Sequence, residues 1–226
     1  IPPEVNLHNE NLDISDKWII SRFEETAFNV NRELSNYRFN EAAKAIYEFT
    51  WNDYCDWYVE IAKIRLYGDD PKKADIARAV LIHVLKGILT LLHPYSPFIT
   101  EELWSYFKTK NDKDLIISPW INGKVSKNEQ VFDSMELLQQ IVTSIRAIRS
   151  QLNIPPKKRA TVFIANSESF KEKILSFDEE IKTLTGINLI SFISNDEKPS
   201  KSATAVIKNM ELFIPLEGLI DIDLEI

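Results

Sequence analysis

Apolar residues recur at helical spacing along most of this chain, and the period changes only after Pro155-Pro156. Ile19, Phe23, Thr26, Val30 and Leu34 mark one face of a first helix over 16–35, which Ser15 can cap while Asp16 complements its dipole. After the turn 36–39, Asn40 can cap a long second helix with Ala43, Ile46, Thr50, Trp57, Ile61 and Ile64 on one face, stopped by Gly68 and Pro71. A third helix over 73–93 carries two apolar rows, one with Ala77, Leu81, Val84, Ile88 and Leu91, the other with Val80, Leu85, Leu89 and Leu92. A helix apolar on most sides belongs at the centre of a bundle. Gly87 inside it costs about 1 kcal/mol relative to Ala, and close helix–helix approach is the usual compensation.

Ser96 and Pro97 open a fourth helix, and the polar stretch 109–130 reads as an extended crossover around Leu115-Ile116-Ile117. A fifth helix over 132–152, with Leu138, Ile141, Ile145, Ile148 and Leu152 on its buried arc, ends at the proline pair. Beyond it, 160–165, 188–194, 203–208 and 211–216 are short β-branched or aromatic runs, and 168–184 reads as helix between the first two. Lys208-Asn209-Met210 supplies a hairpin turn. The fold class expected is mainly α: a helical bundle over 1–153, then a small α+β module over 154–226.

Composition leaves that picture intact and narrows the chemistry. Hydrophobic residues make up 44% and charged residues 27%, which is ordinary for a globular chain. The longest apolar run, Val80 to Leu92, is broken by His83, Lys86 and Gly87 and falls short of the roughly 20 residues a bilayer requires, so no membrane span is expected. Ile1-Pro2-Pro3-Glu4 has neither the basic nor the apolar part of a signal peptide, and a start without Met suggests a piece of a longer chain. A lone cysteine, Cys55, fits a reducing compartment such as the cytoplasm, and it reads as a core residue of the second helix rather than a nucleophile. The scattered glycines build no phosphate loop, and with one cysteine and three separated histidines no zinc set forms; His83 reads as a hydrogen-bonded core residue.

The net charge of −7 argues against indiscriminate coating of nucleic acid, so any RNA site must be local. The one basic island lies between Glu136 and Glu168, where Arg146, Arg149, Lys157, Lys158 and Arg159 meet no acidic residue. Single-stranded loops are held by stacking on aromatic or guanidinium planes, by contacts to base edges and by basic groups on phosphate. Trp18, Arg22 and Asn29 share a flank of the first helix beside its apolar stripe. They suit base contact; equally, Trp18 can cover the bundle edge and Arg22 can pair with a carboxylate. Tyr37 and Arg38 sit in the following turn as candidate loop contacts, and Phe28 points away from the stripe, as an exposed residue or an interdomain contact. Arg149 falls within the apolar arc of the fifth helix, with Arg146 at its border, so a buried carboxylate or an RNA phosphate has to meet it. Lys157, Lys158 and Arg159 are placed for phosphate or are simply solvated. Trp51, Tyr54, Trp57 and Tyr58 read as packing, with a stacking platform for bases as the alternative.

Several segments together resemble a known family. Asp16-Lys17-Trp18-Ile19-Ile20-Ser21-Arg22 is similar to the opening of the anticodon-binding bundle of class I aminoacyl-tRNA synthetases for aliphatic amino acids. The run from Tyr47 to Glu60, YEFTWNDYCDWYVE, resembles that family's second-helix signature, and Leu91 to Trp104, LLHPYSPFITEELW, resembles the next. Ile145 to Lys158, IRAIRSQLNIPPKK, resembles the valyl members, departing at Gln151 where Glu is common, and 216–221 is similar to the junction before their terminal coiled coil. The resemblance implies a parent ligase that uses ATP and Mg to attach valine to its tRNA, and it makes this chain a recognition part without catalytic residues or cofactor. It further implies tRNA for valine and the missing catalytic domain as partners, a cytoplasmic location and a monomer. A helical protein–protein interaction scaffold is the alternative from another class.

Overall fold

The computed structural model describes residues 12–110, 112–125 and 128–219. Ile1-Pro2-Pro3-Glu4, His8 and the Ile220-Asp221 end of the junction segment lie outside the described residues. The chain divides into two compact units, residues up to Phe132 and residues from Asp133 on. That division differs from the boundary expected at 153/154, because most of the last long helix groups with the α+β part.

In the first unit, α1 (Ile14–Ser35) is capped by Asp13, not Ser15, in a reciprocal capping box with Asp16. Helix α2 (Phe39–Glu48) runs without interruption into a π-helical segment, Phe49–Val59, and on into α3 (Glu60–Leu66). The buried positions along this rod are Ala42, Ile46, Phe49, Tyr54, Tyr58, Ile61 and Ala62. Stepping from Phe49 to Tyr54 takes five residues, the wider π turn, and this displaces the expected face: Ala43, Thr50, Trp57 and Ile64 are half-buried at most.

Helix α4 (Pro71–Leu92) starts at Asp70, whose carboxylate accepts from the Lys72 and Lys73 amides, with Pro71 in the favoured first position. It meets α1, α2, α3 and α5, as an all-round apolar helix must. At Gly87 an added Cβ would lie 2.1 Å from Cζ of the buried Phe23, so the glycine admits the ring of α1 against the backbone of α4. His83 departs from expectation. It is exposed, and its ring stands edge-on to Phe23.

Helix α5 (Pro97–Phe107) and the crossover are joined by Glu101, whose carboxylate accepts the amides of Leu115 and Ile116 at 2.8 and 3.0 Å. Leu89, Trp104 and Leu115 form a small buried cluster beneath that joint. The crossover then lies along α1: Asn31 Nδ2 donates to the carbonyls of Ile121 and Asn122, Trp120 donates to Asn31 Oδ1, and Gly123, at φ +66°, leaves no room for a Cβ above the Phe28 amide.

A buried polar cluster fixes the start of α1. The fully buried Asp16 takes Tyr58 Oη and Arg65 Nη2 on Oδ1, both at 2.6 Å, and Arg65 Nη1 at 2.7 Å on Oδ2. Burial, then the Asp16 charge, holds the Tyr58 phenol well above its ordinary value. Burial alone would lower the Arg65 guanidinium, but Asp16 carries it above the usual range.

The second unit contains α6 (Glu129–Gln151) from Asp133 on, β1 (Ala160–Ala165), α7 (Lys171–Leu175), α8 (Asp178–Thr185), β2 (Ile187–Phe192), β3 (Ser202–Ile207) and β4 (Met210–Pro215). The sheet order is β2-β1-β4-β3, with β1 and β2 parallel and the other pairs antiparallel. The helical stretch between β1 and β2 supplies the crossover that a parallel pair needs, broken into α7 and α8 at Ser176-Phe177. The turn at Lys208 has φ 52° and joins β3 to β4 in the register Ile207↔Met210. Val162 and Ile164 on β1, Leu212 and Ile214 on β4, and Leu138, Ile141 and Ile145 on α6 are buried.

Candidate nucleic-acid interface

The corner between α1 and α2 is built by a left-handed residue. Tyr37 adopts φ 57°, its amide bonds the Leu34 carbonyl at 3.0 Å, and the Arg38 amide reaches back to Glu33 O at 2.9 Å. This is the bonding of a Schellman helix end, where glycine usually takes the left-handed position. A side chain there costs about 1–2 kcal/mol, and the ring gains no burial in return: Tyr37 is 82% exposed, edge-on to Phe39. Strain that holds a large aromatic ring in solvent is the kind of outlier from which function is inferred.

Beside it opens a groove of about 390 Å³ between α1 and α2, lined among others by Asn29, Arg32, Arg38, Glu41 and Lys44. Glu33 organises its floor. Arg38 Nε lies 2.6 Å from Glu33 Oε2, and Arg32 bonds Oε1 at 3.0 Å. Two guanidinium forks held by one buried carboxylate, next to an amide and a free-standing carboxylate at Glu41, offer donors and acceptors suited to base edges.

The groove thus brings Asn29 and Arg38 together, while the neighbouring Tyr37 is not part of its lining. It does not bring Trp18 and Arg22 to them. Trp18 is 4% exposed and offers no face to a base. Arg22 pairs with Asp53 Oδ2 at 2.9 Å and Glu25 Oε2 at 2.8 Å, the carboxylate role. Burial outweighs Arg22 in setting Asp53, whose carboxyl is raised. Phe28 is exposed. Cys55 is half-buried, and burial, then Asp56, pushes its thiol up, away from the activated range of a nucleophile.

The basic island in the second unit separates into struts and open cations. Arg149, 8% exposed, meets no carboxylate among the described residues: its Nη2 donates to the carbonyls of Pro155 and Lys158 at 3.1 and 2.9 Å. Burial, then the neighbouring Arg159, lowers its guanidinium. Arg146 donates to Leu184 O near the C-terminal end of α8, where orphan carbonyls favour cations, and Lys158 holds the carbonyls of Gly218 and Leu219. Lys157 and Arg159 are exposed.

Phe39 and Tyr47, which the sequence pattern does not single out, are exposed on the same rod as the exposed Trp51. Packing is the expectation for Trp51, Tyr54, Trp57 and Tyr58, yet only Tyr54 and Tyr58 of that set are buried. The available signal is angular: Tyr47 and Trp51, a turn apart, fall outside the arc of Ala42 and Ile46. Among the described residues no helix is long and apolar enough to cross a membrane.

A family profile described as "Anticodon-binding domain of tRNA ligase" matches residues 16–164. Similar proteins include the valine–tRNA ligases of Syntrophotalea carbinolica, 35% identical over 99% of this chain, and of Legionella pneumophila strain Lens, 39% identical over 94%. That of Geobacillus stearothermophilus is 35% identical over 99% of the chain. In these alignments the chain covers 25%, 24% and 25% of the relative, so it spans about a quarter of the length of the curated relatives it matches.

Proposed function

Because the chain belongs to the family of anticodon-binding domains of tRNA ligases, we propose that it recognises tRNA for valine as the non-catalytic part of a valine–tRNA ligase. The parent enzyme attaches valine to this tRNA in the cytoplasm, as a monomer, with ATP and Mg held by parts of the polypeptide outside these residues. The observation that carries the reading is the left-handed, solvent-exposed Tyr37, next in sequence to Arg38 of the groove lining. Tyr37 stacks an unpaired base, while Arg38, Arg32 and Asn29 address base edges. In the second unit Lys157 and Arg159 are the groups left for phosphate, and Arg146, Arg149 and Lys158 position them.

Tyr37→Gly tests this because stability and binding respond differently. Relief of left-handed strain, about 1–2 kcal/mol, outweighs or balances the extra freedom of the unfolded chain, about 0.4–1 kcal/mol. The variant is therefore as stable as the wild type or slightly more so. Loss of a stacked base, worth about 1–3 kcal/mol, weakens tRNA binding roughly 5- to 140-fold. A Tyr37→Gly protein that binds tRNA as tightly as the wild type contradicts the assignment.

A second contact has its own observation. Phe98, Ile99, Leu103 and Tyr106 all lie on the outward side of α5 and are exposed. With Glu102 set among them, accepting from the Tyr106 hydroxyl at 3.2 Å, these side chains form an amphipathic surface, which we assign to contact with the catalytic part of the same polypeptide.

A further inference from the structure

The outward arc of α2 continues past the groove to a pair of rings with no structural use. Tyr47 and Trp51 are 65% and 57% exposed, their planes lie within 5° of parallel, and their centroids are 6.5 Å apart. The buried arc of this rod is complete without them, through Ala42, Ile46, Phe49 and Tyr54. Single exposed apolar residues need no explanation; two large parallel rings beside a polar groove do. At about 100° per residue, Lys44 falls between the groove wall at Glu41 and the two rings, with its ammonium 3.8 Å from Glu48 Oε1. Aligned aromatic planes with an adjacent cation are the elements from which single-stranded nucleic acid is held.

Resting on the tRNA reading above, we propose that Tyr47 and Trp51 form a stacking shelf for an unpaired base of the same RNA, next to the bases addressed at the groove. The polar neighbours on this arc argue for a base over a protein. Asn40, Glu41, Lys44 and Glu48 are all exposed, whereas a stable protein interface requires about 800 Å² per partner around an apolar core. A planar base needs only the rings.

The test uses the intact protein and an anticodon stem–loop RNA of the valine tRNA. Trp51→Ala and Tyr47→Ala remove exposed side chains and should leave the melting transition in place while weakening RNA binding roughly 5- to 140-fold. Trp51→Phe keeps a ring, so it should retain most of the affinity but lose the quenching of indole fluorescence that RNA addition produces in the wild type. Unchanged affinity in both alanine variants, with Tyr37→Gly impaired, overturns the shelf, leaves the tRNA reading standing and assigns the rings to a protein contact. Absence of RNA binding by the wild type overturns both.

Discussion

Replacing Asp16 by Asn changes a single atom type at a site where every acceptor direction is in use. Oδ1 accepts from Tyr58 and Arg65, and Oδ2 accepts from Arg65 and from the Asp13 amide at 3.1 Å. In the amide, Nδ2 brings two hydrogens to face two donors, and the guanidinium, 10% exposed, keeps only Asp13 as a carboxylate partner at 3.0 Å. Leaving a buried ion without its partner costs about 3–5 kcal/mol, a large share of the roughly 5–15 kcal/mol that holds a typical domain together. Urea unfolding followed by circular dichroism should show that loss as a lowered midpoint with an unchanged slope. Adding Arg65→Met should recover part of it, since the two sites are coupled. A loss below about 1 kcal/mol would mean that the cluster behaves as a surface ion pair, and the account of how the start of α1 is fixed would be refuted.

Further predictions concern the same bundle. Gly87→Ala should gain about 1 kcal/mol of helix propensity but lose about 3 kcal/mol to overpacking against Phe23, for a net destabilisation of about 2 kcal/mol; a more stable variant in urea titration would contradict the close approach. Tyr54 and Tyr58 are both held above the ordinary phenol value, in each case by burial first. Their contribution is complete below the unfolded value near pH 10 and falls by up to about 1.4 kcal/mol per pH unit per phenol above it. Alkaline unfolding followed by tyrosinate absorbance should therefore be shallower in Tyr58→Phe, and an identical slope would count against the burial of its hydroxyl.

Much of this fold is legible in the order of apolar residues, because helices and strands impose periods of their own. The all-round apolar α4 sits where such a helix must, and Gly87 lies at the close contact its position implied. The site is less legible. Periodicity finds the stripe of Ile19 and Phe23 but not how many neighbours surround α1, and Trp18 beside that stripe is buried as well. A run of cations does not reveal which are taken up by backbone carbonyls, as Arg146, Arg149 and Lys158 are. At the α1 end, Asn36 is the residue type that tolerates a left-handed backbone, yet Asn36 has φ −94° and Tyr37 takes the strained position. The π turn from Phe49 to Tyr54 likewise leaves Thr50 and Trp57, expected on the buried face, only half-buried.

The central claim is that this acidic chain selects one tRNA through a local aromatic and guanidinium surface. Its most direct test is the equilibrium affinity of the protein for valine and isoleucine tRNAs, measured side by side across a range of salt. Base-edge discrimination of about 1–3 kcal/mol predicts that the valine tRNA binds more tightly, by roughly 5- to 140-fold, at every salt concentration while both affinities fall with salt. Equal affinity for the two tRNAs would contradict it.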